Sequence, residues 1–460
     1  MNEDRDIVVI GCGASGGTAA QFAKKADRKS SITIIEKGKY PQYSKCGLPY
    51  VISGKIPKAS GLIEFSEEWF KKANIELLLD TNVEKIDVDN QIVKAKKENF
   101  VIEKSYGSLI ICTGAKPSIP PIKNIEINGK LVDGVHAVRT IDDAEKISYQ
   151  IKKTTKATVV GAGLIGLEMA DSLCKKGIKV TVVEALPYIL ANTLDDDMSE
   201  IVHEKISNNI TILTNHLATK VESNDGRVCK VFIKGNETGT EQVIDTDLLI
   251  IATGGKPEVT LAKDAGCKIG KTGGIVVNEK SETSVKNIYA AGDCTEYLDF
   301  VTKKPLQIGL GSVAVRQGIA AGTNAAGGDY KLPKGVLLSR TSEFFGLEIA
   351  AVGPIVSGIE DISIVSGKFN GFSLPEYFPG GKPITIKVAV DEKTGKIIYA
   401  QAVGDKAAQR INTFACAILG GIDVNTFRKL ETTYAPPIAP TLDAVTLACD
   451  IVSMKLNRKR

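Results

Sequence analysis

Two stretches of the chain repeat the same order of hydrophobic and polar positions. Residues 7–37 and 158–184 each begin with an apolar run, pass through a glycine-rich turn and a helical stretch, and end with a second apolar run followed by an acidic residue. Such runs predict buried strands, and the stretch between them predicts the crossover helix of a parallel sheet. The repeat extends to residues 109–117 and 248–257, where another apolar strand ends at Thr-Gly. We therefore predict two copies of one nucleotide-binding unit.

The pattern changes further along the chain. Residues 283–294 form a short apolar strand ending at Gly292-Asp293, and residues 313–327 have a helical pattern, which together indicate a return to the first unit. Alternating polar and apolar positions over 384–404 predict antiparallel strands, and 442–452 predicts a helix. The predicted domains are 1–118 and 283–332 (two parts of the first unit), 119–282 (the second unit) and 333–460 (an α+β domain).

Composition excludes several classes of function. A net charge of +4 over 460 residues gives no reason to expect a nucleic-acid partner, and no apolar run reaches membrane-spanning length. The charged opening at residues 2–6 lacks the features of a signal peptide, so we expect a cytoplasmic protein. The nine cysteines and three histidines show no metal-ligand spacing, and we predict reduced thiols and no metal site.

The first unit carries a Gly-x-Gly-x-x-Gly motif at Gly11, Gly13 and Gly16. In such a turn the first glycine allows a tight bend, the second lets a pyrophosphate approach the backbone, and the third permits close helix–strand packing. Glu36 follows at the end of the second predicted strand, where a carboxylate can hold ribose hydroxyls. We assign Lys37, next to it, to the same site.

The second unit repeats the motif at Gly161, Gly163 and Gly166, with Glu184 as the terminal acid. A carboxylate at that point repels a 2′-phosphate, and no arginine follows closely, so NADH is preferred although NADPH is possible. Gly254 is assigned to this site.

Two dinucleotide sites in one chain suggest a tightly held FAD that exchanges electrons with a nicotinamide. We assign Thr113, Gly114, Gly292 and Asp293 to the flavin site. Ser312, at the predicted start of the next helix, would direct N–H groups toward the charge of a reduced flavin. The predicted fold class is α/β, with two Rossmann-like dinucleotide-binding domains, the second inserted in the first, plus a C-terminal α+β domain.

The order of these motifs resembles the pyridine nucleotide–disulfide oxidoreductases over essentially the whole chain. The resemblance implies an FAD domain interrupted by an NAD domain, and a C-terminal dimerisation domain that makes a homodimer. Members similar to glutathione reductase have Cys-x-x-x-x-Cys where this chain has Cys46 and Val51. The chain is therefore similar to the single-cysteine branch of coenzyme A-disulfide reductases, NADH oxidases, NADH peroxidases and persulfide reductases.

Other positions refine the resemblance. Oxidases and peroxidases of the branch have a histidine where this chain has Ala14, which argues against peroxide chemistry, and Leu164 replaces a tyrosine that often shields the flavin. Glu168 matches a family glutamate at the nicotinamide end. Tyr434, in Tyr-Ala-Pro-Pro, matches a family tyrosine that reaches the active-site sulfur from the partner subunit, and Tyr377 matches a second tyrosine of that pocket more loosely.

Cys46 is the predicted redox-active residue. Pro49 fits the first turn of a helix, so the sulfur should face the helix N-terminus, and we expect the pKa of the thiol to be lowered. The alternative is a small buried packing residue, which we expect Cys12, Cys112 and Cys294 to be.

The sequence thus favours an FAD-dependent NAD(P)H oxidoreductase that reduces a small-molecule disulfide, persulfide or polysulfide similar to coenzyme A disulfide. Two alternatives stay open. One is an NADH oxidase or peroxidase that reduces O2 or H2O2. The other is a flavin-bound redox sensor or electron-transfer partner.

Overall fold

The computed structural model describes residues 6–459. The charged opening, residues 1–5, and the last residue of the basic C-terminal segment, Arg460, lie outside the described residues. Within residues 6–459, no helix is both long and apolar enough to span a membrane.

The chain forms short strands throughout. In chain order they are β1 (Asp6–Ile10), β2 (Ser31–Ile35), β3 (Glu76–Leu78), β4 (Asn82–Asp87), β5 (Ile92–Lys97), β6 (Phe100–Ser105), β7 (Ser108–Ile111), β8 (Ala115–Pro117), β9 (Glu126–Ile127), β10 (Lys130–Leu131), β11 (Val135–Ala137), β12 (Lys156–Val160), β13 (Lys179–Val183), β14 (Thr211–Leu213), β15 (His216–Asn224), β16 (Arg227–Gly235), β17 (Glu241–Asp245), β18 (Leu248–Ile251), β19 (Gly255–Pro257), β20 (Ile275–Val276), β21 (Ile288–Ala290), β22 (Thr295–Leu298), β23 (Pro305–Leu306), β24 (Arg340–Phe344), β25 (Leu347–Val352), β26 (Ile364–Phe372), β27 (Pro383–Asp391) and β28 (Ile397–Gly404).

The helices vary from one turn to more than four. They are α1 (Ala14–Ala26), α2 (Leu48–Ile52), α3 (Glu67–Lys72), α4 (Ile141–Gln150), α5 (Leu164–Cys174), α6 (Asp196–Ile206), α7 (Thr260–Asp264), α8 (Gly311–Ala325), α9 (Ala407–Gly420), α10 (Val424–Phe427) and α11 (Ala444–Lys459). Short 3-10 turns occupy Lys45–Gly47, Ala59–Leu62, Ile151–Lys153 and Val356–Gly358.

Two parallel sheets have the same strand topology. The first has the order β21-β7-β1-β2-β3, and the second has the order β11-β18-β12-β13-β14. In both, the strand before the glycine-rich turn pairs in parallel with the strand that follows the crossover helix. The apolar runs are buried because helices cover one face of each sheet and a three-stranded antiparallel sheet packs on the other. The predicted repeat of one nucleotide-binding unit is confirmed.

The first sheet receives strands from both sides of the second unit. β21 pairs in parallel with β7, so the chain does return to the first unit. The return helix α8 packs against α1, and a Cβ on Gly318 or Gly322 would collide with the α1 backbone. α7 and β20, inside the predicted segment 119–282, contribute Ala262 and Ile275 to the hydrophobic core of the first unit. The boundaries 1–118, 119–282, 283–332 and 333–460 stay a prediction.

Each parallel unit also carries a three-stranded antiparallel sheet, which the sequence analysis did not single out. These sheets are β4-β5-β6 and β15-β16-β17. The proline-rich segment 115–124 begins with β8, which pairs with β19 to make a two-stranded ribbon. Both crossings between the two units therefore run side by side.

The C-terminal region is a five-stranded antiparallel sheet in the order β24-β25-β28-β27-β26. Helices α9 and α11 pack on it over a separate hydrophobic core. The antiparallel strands predicted over 384–404 and the helix predicted over 442–452 are confirmed as β27, β28 and α11. The predicted α/β class, with two dinucleotide-binding units and an α+β region, is confirmed.

Candidate active site

The first glycine-rich turn has the geometry of a phosphate cradle. Gly11 has φ +98°, and a Cβ there would collide with the carbonyl oxygen of Cys112. A Cβ on Gly16 would collide with the carbonyl oxygen of Gly11, whereas a Cβ on Gly13 would meet nothing within 4 Å. Two glycines are thus required by the fold, and Gly13 alone borders open space at the start of α1.

The second turn repeats this division of roles. A Cβ on Gly161 or Gly166 would collide with nearby backbone atoms, while Gly163 borders open space. Gly254, at φ +85°, also has nothing within 4 Å of an added Cβ. The turn therefore leaves room for a second dinucleotide phosphate at the start of α5.

The two terminal acids make equivalent contacts. Glu36 accepts hydrogen bonds from the N–H groups of Cys12 at 2.6 Å and Gly38 at 2.7 Å. Glu184 accepts them from Ala162 at 2.6 Å and Leu186 at 2.9 Å. Each carboxylate thus stands beside its glycine turn, at the end of β2 or β13. Lys37 is exposed next to Glu36.

The flavin-site residues predicted downstream lie around the start of α8. Asp293 is ion-paired with Arg139, with 2.8 Å between Oδ2 and Nη2. The N–H of Gly292 donates to the side-chain oxygen of Gln317 at 2.8 Å. Gly311 and Ser312, the first residues of α8, are exposed.

Thr113 and Gly114 lie just beyond β7. The Thr113 hydroxyl donates to the carbonyl oxygen of Glu258 at 2.6 Å, and Gly114 has φ +70°. These two residues therefore also join the first unit to the loop after β19.

These residues fit FAD. Gly13 borders a cradle that any side chain would fill, and the exposed start of α8 offers backbone N–H donors. The Nε of Arg139 is buried and, within residues 6–459, has no hydrogen-bond partner, so a donor is available beside Asp293. A buried donor without a partner is costly, and an anionic group of a bound cofactor would satisfy it.

Cys46 lies in the 3-10 turn Lys45–Gly47, immediately before α2. Its side chain is exposed, and its sulfur lies 4.0 Å from the position of a Cβ on Gly311 at the start of α8. The structure thus brings the predicted redox cysteine to the same place as the flavin-site residues of α8. All nine cysteines are free thiols.

The prediction that the pKa of the Cys46 thiol is lowered is wrong for the polypeptide alone. The pKa of the thiol is raised, first because the walls of the cleft partly shield it from water, and then by the charges of Glu168 and Asp293. The Arg139 guanidinium lowers it by less. α2 has only five residues, so its dipole does not outweigh these contributions.

Lys45 stands in the same cleft. Its pKa is lowered, first by loss of contact with water and then by the Arg139 charge, while Glu36 and Asp293 act in the opposite direction. The cleft therefore places Glu168, Asp293 and Arg139 around the thiol, with Lys45 and Glu36 beside them.

Glu168, predicted at the nicotinamide end, lies on α5, close enough to Cys46 for its charge to raise the pKa of the thiol. Burial raises the pKa of this carboxyl, and a hydrogen bond from Ser342 lowers it. The Ser342 hydroxyl donates to Oε1 at 2.5 Å. The second glycine turn and the redox cysteine therefore share one cleft.

Tyr377 and Tyr434 form a pair away from these elements. Their hydroxyls are 2.9 Å apart, and the residues are 72% and 48% exposed. The hydrogen bond to Tyr434 raises the pKa of Tyr377. The looser assignment of Tyr377 thus gains a direct contact with Tyr434.

The remaining expectations for cysteines concern packing. Cys12, Cys112 and Cys294 are buried, and burial raises the pKa of each thiol. Their predicted role as small packing residues is confirmed.

Three residues of the site were not predicted from the sequence: Arg139, Ser342 and Gln317. Arg139 directly precedes the capping box of α4, formed by Thr140 and Asp143, so a helix start was readable there. Its partner Asp293 is 154 residues away, and Ser342 is 174 residues from Glu168. Such contacts form only in the tertiary structure, and no local sequence motif indicates them.

Comparison with known proteins identifies the family. Residues 5–318 match the pyridine nucleotide-disulphide oxidoreductase domain, and residues 341–445 match the dimerisation domain of the same family. Enzymes of this family depend on FAD and NAD(P)H.

Individual relatives match over nearly the whole chain. An NADH oxidase of Methanocaldococcus jannaschii is 39% identical over 98% of this chain and 99% of its own. An NAD(P)H sulfur oxidoreductase (CoA-dependent) of Pyrococcus furiosus is 33% identical over 98% and 99%. The solved structure of an NAD-dependent persulfide reductase from A. fulgidus superposes with a TM-score of 0.91, at 33% identity, over 98% of this chain and 84% of that one. The chain belongs to the pyridine nucleotide-disulphide oxidoreductase family.

Proposed function

We propose that the chain is an FAD-dependent NAD(P)H:disulfide oxidoreductase that reduces a small-molecule disulfide, persulfide or polysulfide through Cys46. The observation that carries this proposal is the position of the free Cys46 sulfur, which stands at the start of α8 and close enough to Glu168 to sense its charge. The Cys46 thiol thus lies near both the proposed flavin site and the nicotinamide end of the proposed NADH site. The position five residues on is Val51, so Cys46 has no neighbouring cysteine to make a Cys-x-x-x-x-Cys disulfide.

The reaction needs only one cysteine if the substrate supplies the second sulfur. The Cys46 thiolate attacks one sulfur of a disulfide RSSR, which releases RS⁻ and leaves Cys46 in a mixed disulfide with R. Two electrons then break that bond, which regenerates the Cys46 thiolate and releases the second RS⁻. With a proton on each product, the sum is RSSR + NADH + H⁺ → 2 RSH + NAD⁺.

Bound FAD would supply the two-electron relay between NADH and sulfur. Gly13, the N-terminus of α8 and Arg139 would hold it, and Glu36 would meet its ribose. The α8 N–H groups favour negative charge near Cys46, and the Arg139 guanidinium adds to that effect.

The proposed nucleotide substrate is NADH. Glu184 stands at the end of β13 with both oxygens bonded to backbone N–H groups, so its charge is fixed where a 2′-phosphate would lie. Residues 185–187 are Ala-Leu-Pro and offer no cation to that phosphate. Gly163, Gly166 and Gly254 shape the rest of this site.

We place the second half of the substrate pocket on the partner subunit of a homodimer. Tyr377 and Tyr434 lie within the matched dimerisation domain and are exposed, and exposed apolar side chains lie on the same region: Leu419, Leu430, Ile438 and Leu442. Burial of these side chains against a second copy would bring a phenol pair to the Cys46 cleft. Tyr434, supported by its bond to Tyr377, would then donate a proton to the leaving thiolate.

The first test is intact-mass analysis of protein purified without reductant, before and after dithiothreitol. We expect a reducible adduct that peptide mapping places on Cys46 and that is absent from Cys46→Ser. Cys416→Ser is the matched control, because Cys416 is also an exposed free thiol but lies on α9. NADH-dependent thiol release from coenzyme A disulfide or polysulfide should be lost only in Cys46→Ser. An unmodified Cys46 together with undiminished turnover in Cys46→Ser would refute the proposal.

A second candidate is an NADH oxidase, because the M. jannaschii relative bears that name. Ala14 occupies the position at which oxidases of the branch have a histidine. Oxygen uptake with NADH alone, at a rate equal to or above that of disulfide reduction and dependent on Cys46, would favour the oxidase.

A further inference from the structure

The C-terminal region reaches into the nucleotide cleft through one side chain. β24 packs against α5, and Ser342 of β24 donates to Oε1 of Glu168 at 2.5 Å. Ser342 is buried, with 7% of its surface exposed. Glu168 in turn lies near Cys46, so the serine stands directly behind a carboxylate that faces the site.

Few charged groups compete for this carboxylate. Burial raises its pKa, and the Ser342 hydroxyl is the group that lowers it. Cys46 and Tyr50, on the Lys45–Gly47 turn and α2, face Glu168, and the pKa of each is itself raised. Glu343 of β24 and Asp171 of α5 act on the same Tyr50. Cys46 and Tyr50 therefore ionise at a much higher pH than a carboxyl group does. Glu343 and Asp171 are acids, so neither of them supplies a positive charge to Glu168.

We propose that Ser342 is a positioning residue for NADH: its hydroxyl holds Oε1 of Glu168 so that Oε2 is presented to the carboxamide of the nicotinamide. This rests on the proposed function insofar as Glu168 lies at the nicotinamide end. A glutamate has three rotatable side-chain bonds, and a single strong donor fixes its carboxylate at little further cost on binding. A carboxamide N–H is the donor that a free carboxylate oxygen accepts well.

The arrangement makes the C-terminal region part of the nucleotide site within one subunit. β24 belongs to the antiparallel sheet of the matched dimerisation domain, whereas α5 belongs to the second nucleotide-binding unit. A change in the position of β24 would therefore change the orientation of Glu168.

The test is NAD⁺ affinity of the holoenzyme by isothermal titration calorimetry, from pH 5 to 8. The variants are Ser342→Ala, Ser342→Cys, which keeps the side-chain shape in a slightly larger volume but donates weakly, Glu168→Gln, and the double variant that combines Ser342→Ala with Glu168→Gln. Thr341→Ala is the matched control, because Thr341 is the neighbouring residue of β24 and its hydroxyl donates to the carbonyl oxygen of Ile349.

We expect Ser342→Ala and Ser342→Cys to raise the Kd for NAD⁺ about fivefold to tenfold at pH 7, and Thr341→Ala to leave it unchanged. The affinity that depends on the Glu168 carboxylate is present above its pKa and lost as pH falls through it. Removal of the Ser342 donor should therefore move this loss to higher pH. In the Glu168→Gln background, Ser342→Ala should add little and the pH dependence should vanish.

Equal affinity and an unchanged pH profile in both Ser342 variants would overturn the proposal. So would an effect of Ser342→Ala that is as large in the Glu168→Gln background as in the wild-type background, because the serine would then act through packing. The measurement does not depend on the sulfur substrate. A failure to turn over any disulfide would refute the proposed function and leave these affinities to decide the role of Ser342.

Discussion

At the scale of single residues, the pKa of Cys46 is set first by removal from water and then by charges from three parts of the chain. Glu168 comes from α5, Asp293 from the loop after β21, and Arg139 from the segment before α4. The carboxylates disfavour the thiolate and the guanidinium favours it. The ionisation of this thiol therefore depends on any charge that is added to the cleft or removed from it.

This balance predicts opposite effects of two substitutions. Glu168→Gln removes a negative charge, so the pKa of Cys46 should fall, whereas Arg139→Gln removes a positive charge, so it should rise. The rate of alkylation by iodoacetamide reports the thiolate fraction, and its midpoint in pH should shift down in the first variant and up in the second.

Glu343→Gln is the control for this experiment. Glu343 acts on Tyr50 but is not among the groups that shift the Cys46 pKa, so the midpoint should stay in place. A shift in the same direction for Glu168→Gln and Arg139→Gln would contradict the electrostatic account.

The residue scale also shows what local sequence can and cannot reveal. Cys46, Glu36 and Glu184 could be predicted from the sequence. Cys46 lies three residues before Pro49, and each glutamate ends the apolar run that follows a glycine motif. Ser342 could not be predicted, because an isolated serine in a strand carries no signal until β24 is packed against α5. The raised pKa of Cys46 was missed for the same reason, since its causes come from residues distant in sequence.

At the scale of elements, the glycine turns separate folding from binding. Gly16 is needed because the carbonyl oxygen of Gly11 lies against it, whereas Gly13 has no neighbour within 4 Å and has an ordinary φ of −72°. An alanine at Gly13 is therefore compatible with the fold but extends into the proposed phosphate cradle.

We predict that Gly13→Ala and Gly16→Ala fail in different ways. Gly13→Ala should unfold at the wild-type temperature without flavin, yet bind FAD at least about tenfold more weakly, because its methyl group displaces the pyrophosphate from the backbone. Gly16→Ala should lose about 1–3 kcal/mol or more of stability through overpacking. Thermal unfolding of flavin-free protein and a fluorescence titration with FAD distinguish the two. Weaker FAD binding in Gly13→Ala only in proportion to lost stability would argue against the cradle.

The elements differ in how far sequence predicts them. β1, β2, β12 and β13 were predicted because both faces of a parallel sheet are covered, which leaves an uninterrupted apolar run. The sheet β4-β5-β6 was missed because strands such as Ile92–Lys97 are half exposed and rich in lysine, so their apolar signal is short.

At the scale of the whole molecule, the proposed active site needs two subunits. If Cys46 of one subunit works with Tyr434 of the partner, a heterodimer of Cys46→Ser and Tyr434→Phe subunits contains one intact site and one doubly defective site. Such a heterodimer should recover about half of the wild-type activity per dimer, although each parent homodimer is inactive or strongly impaired.

Tagged subunits that are unfolded together, refolded and purified by both tags provide the heterodimer. A heterodimer of a Cys46→Ser subunit with a subunit that carries both Cys46→Ser and Tyr434→Phe is the control, since neither of its sites has a thiol. Activity no higher than that of the parents would place the tyrosine beside Cys46 of its own subunit.

A buried polar cluster joins the C-terminal sheet to the second nucleotide-binding unit, beside the hydrophobic core that the two regions share. Asp195, just before α6, has a fully buried side chain that accepts from Lys387 and Tyr399 at 2.8 Å each and from the Val356 N–H at 3.0 Å. Lys387 also pairs with Asp197 at 2.7 Å. The Asp195 carboxylate thus has all of these partners only when the C-terminal sheet is docked on the second nucleotide-binding unit.

We predict that Asp195→Asn destabilises the protein by about 3–5 kcal/mol, because Lys387 and the Tyr399 hydroxyl lose a buried charged acceptor. Lys387→Met should also be destabilising, and the double variant should cost less than the sum of the two, because each removes the same contact. Chemical denaturation measures these changes, and Glu360→Gln, which breaks the exposed pair with Lys304, should give none. If the cluster also holds β24 in place, Asp195→Asn should weaken NAD⁺ binding at temperatures where it is still folded, through Ser342 and Glu168. Full additivity of the two substitutions, with unchanged NAD⁺ affinity in each, would show that the contact neither couples the residues nor positions the sheet.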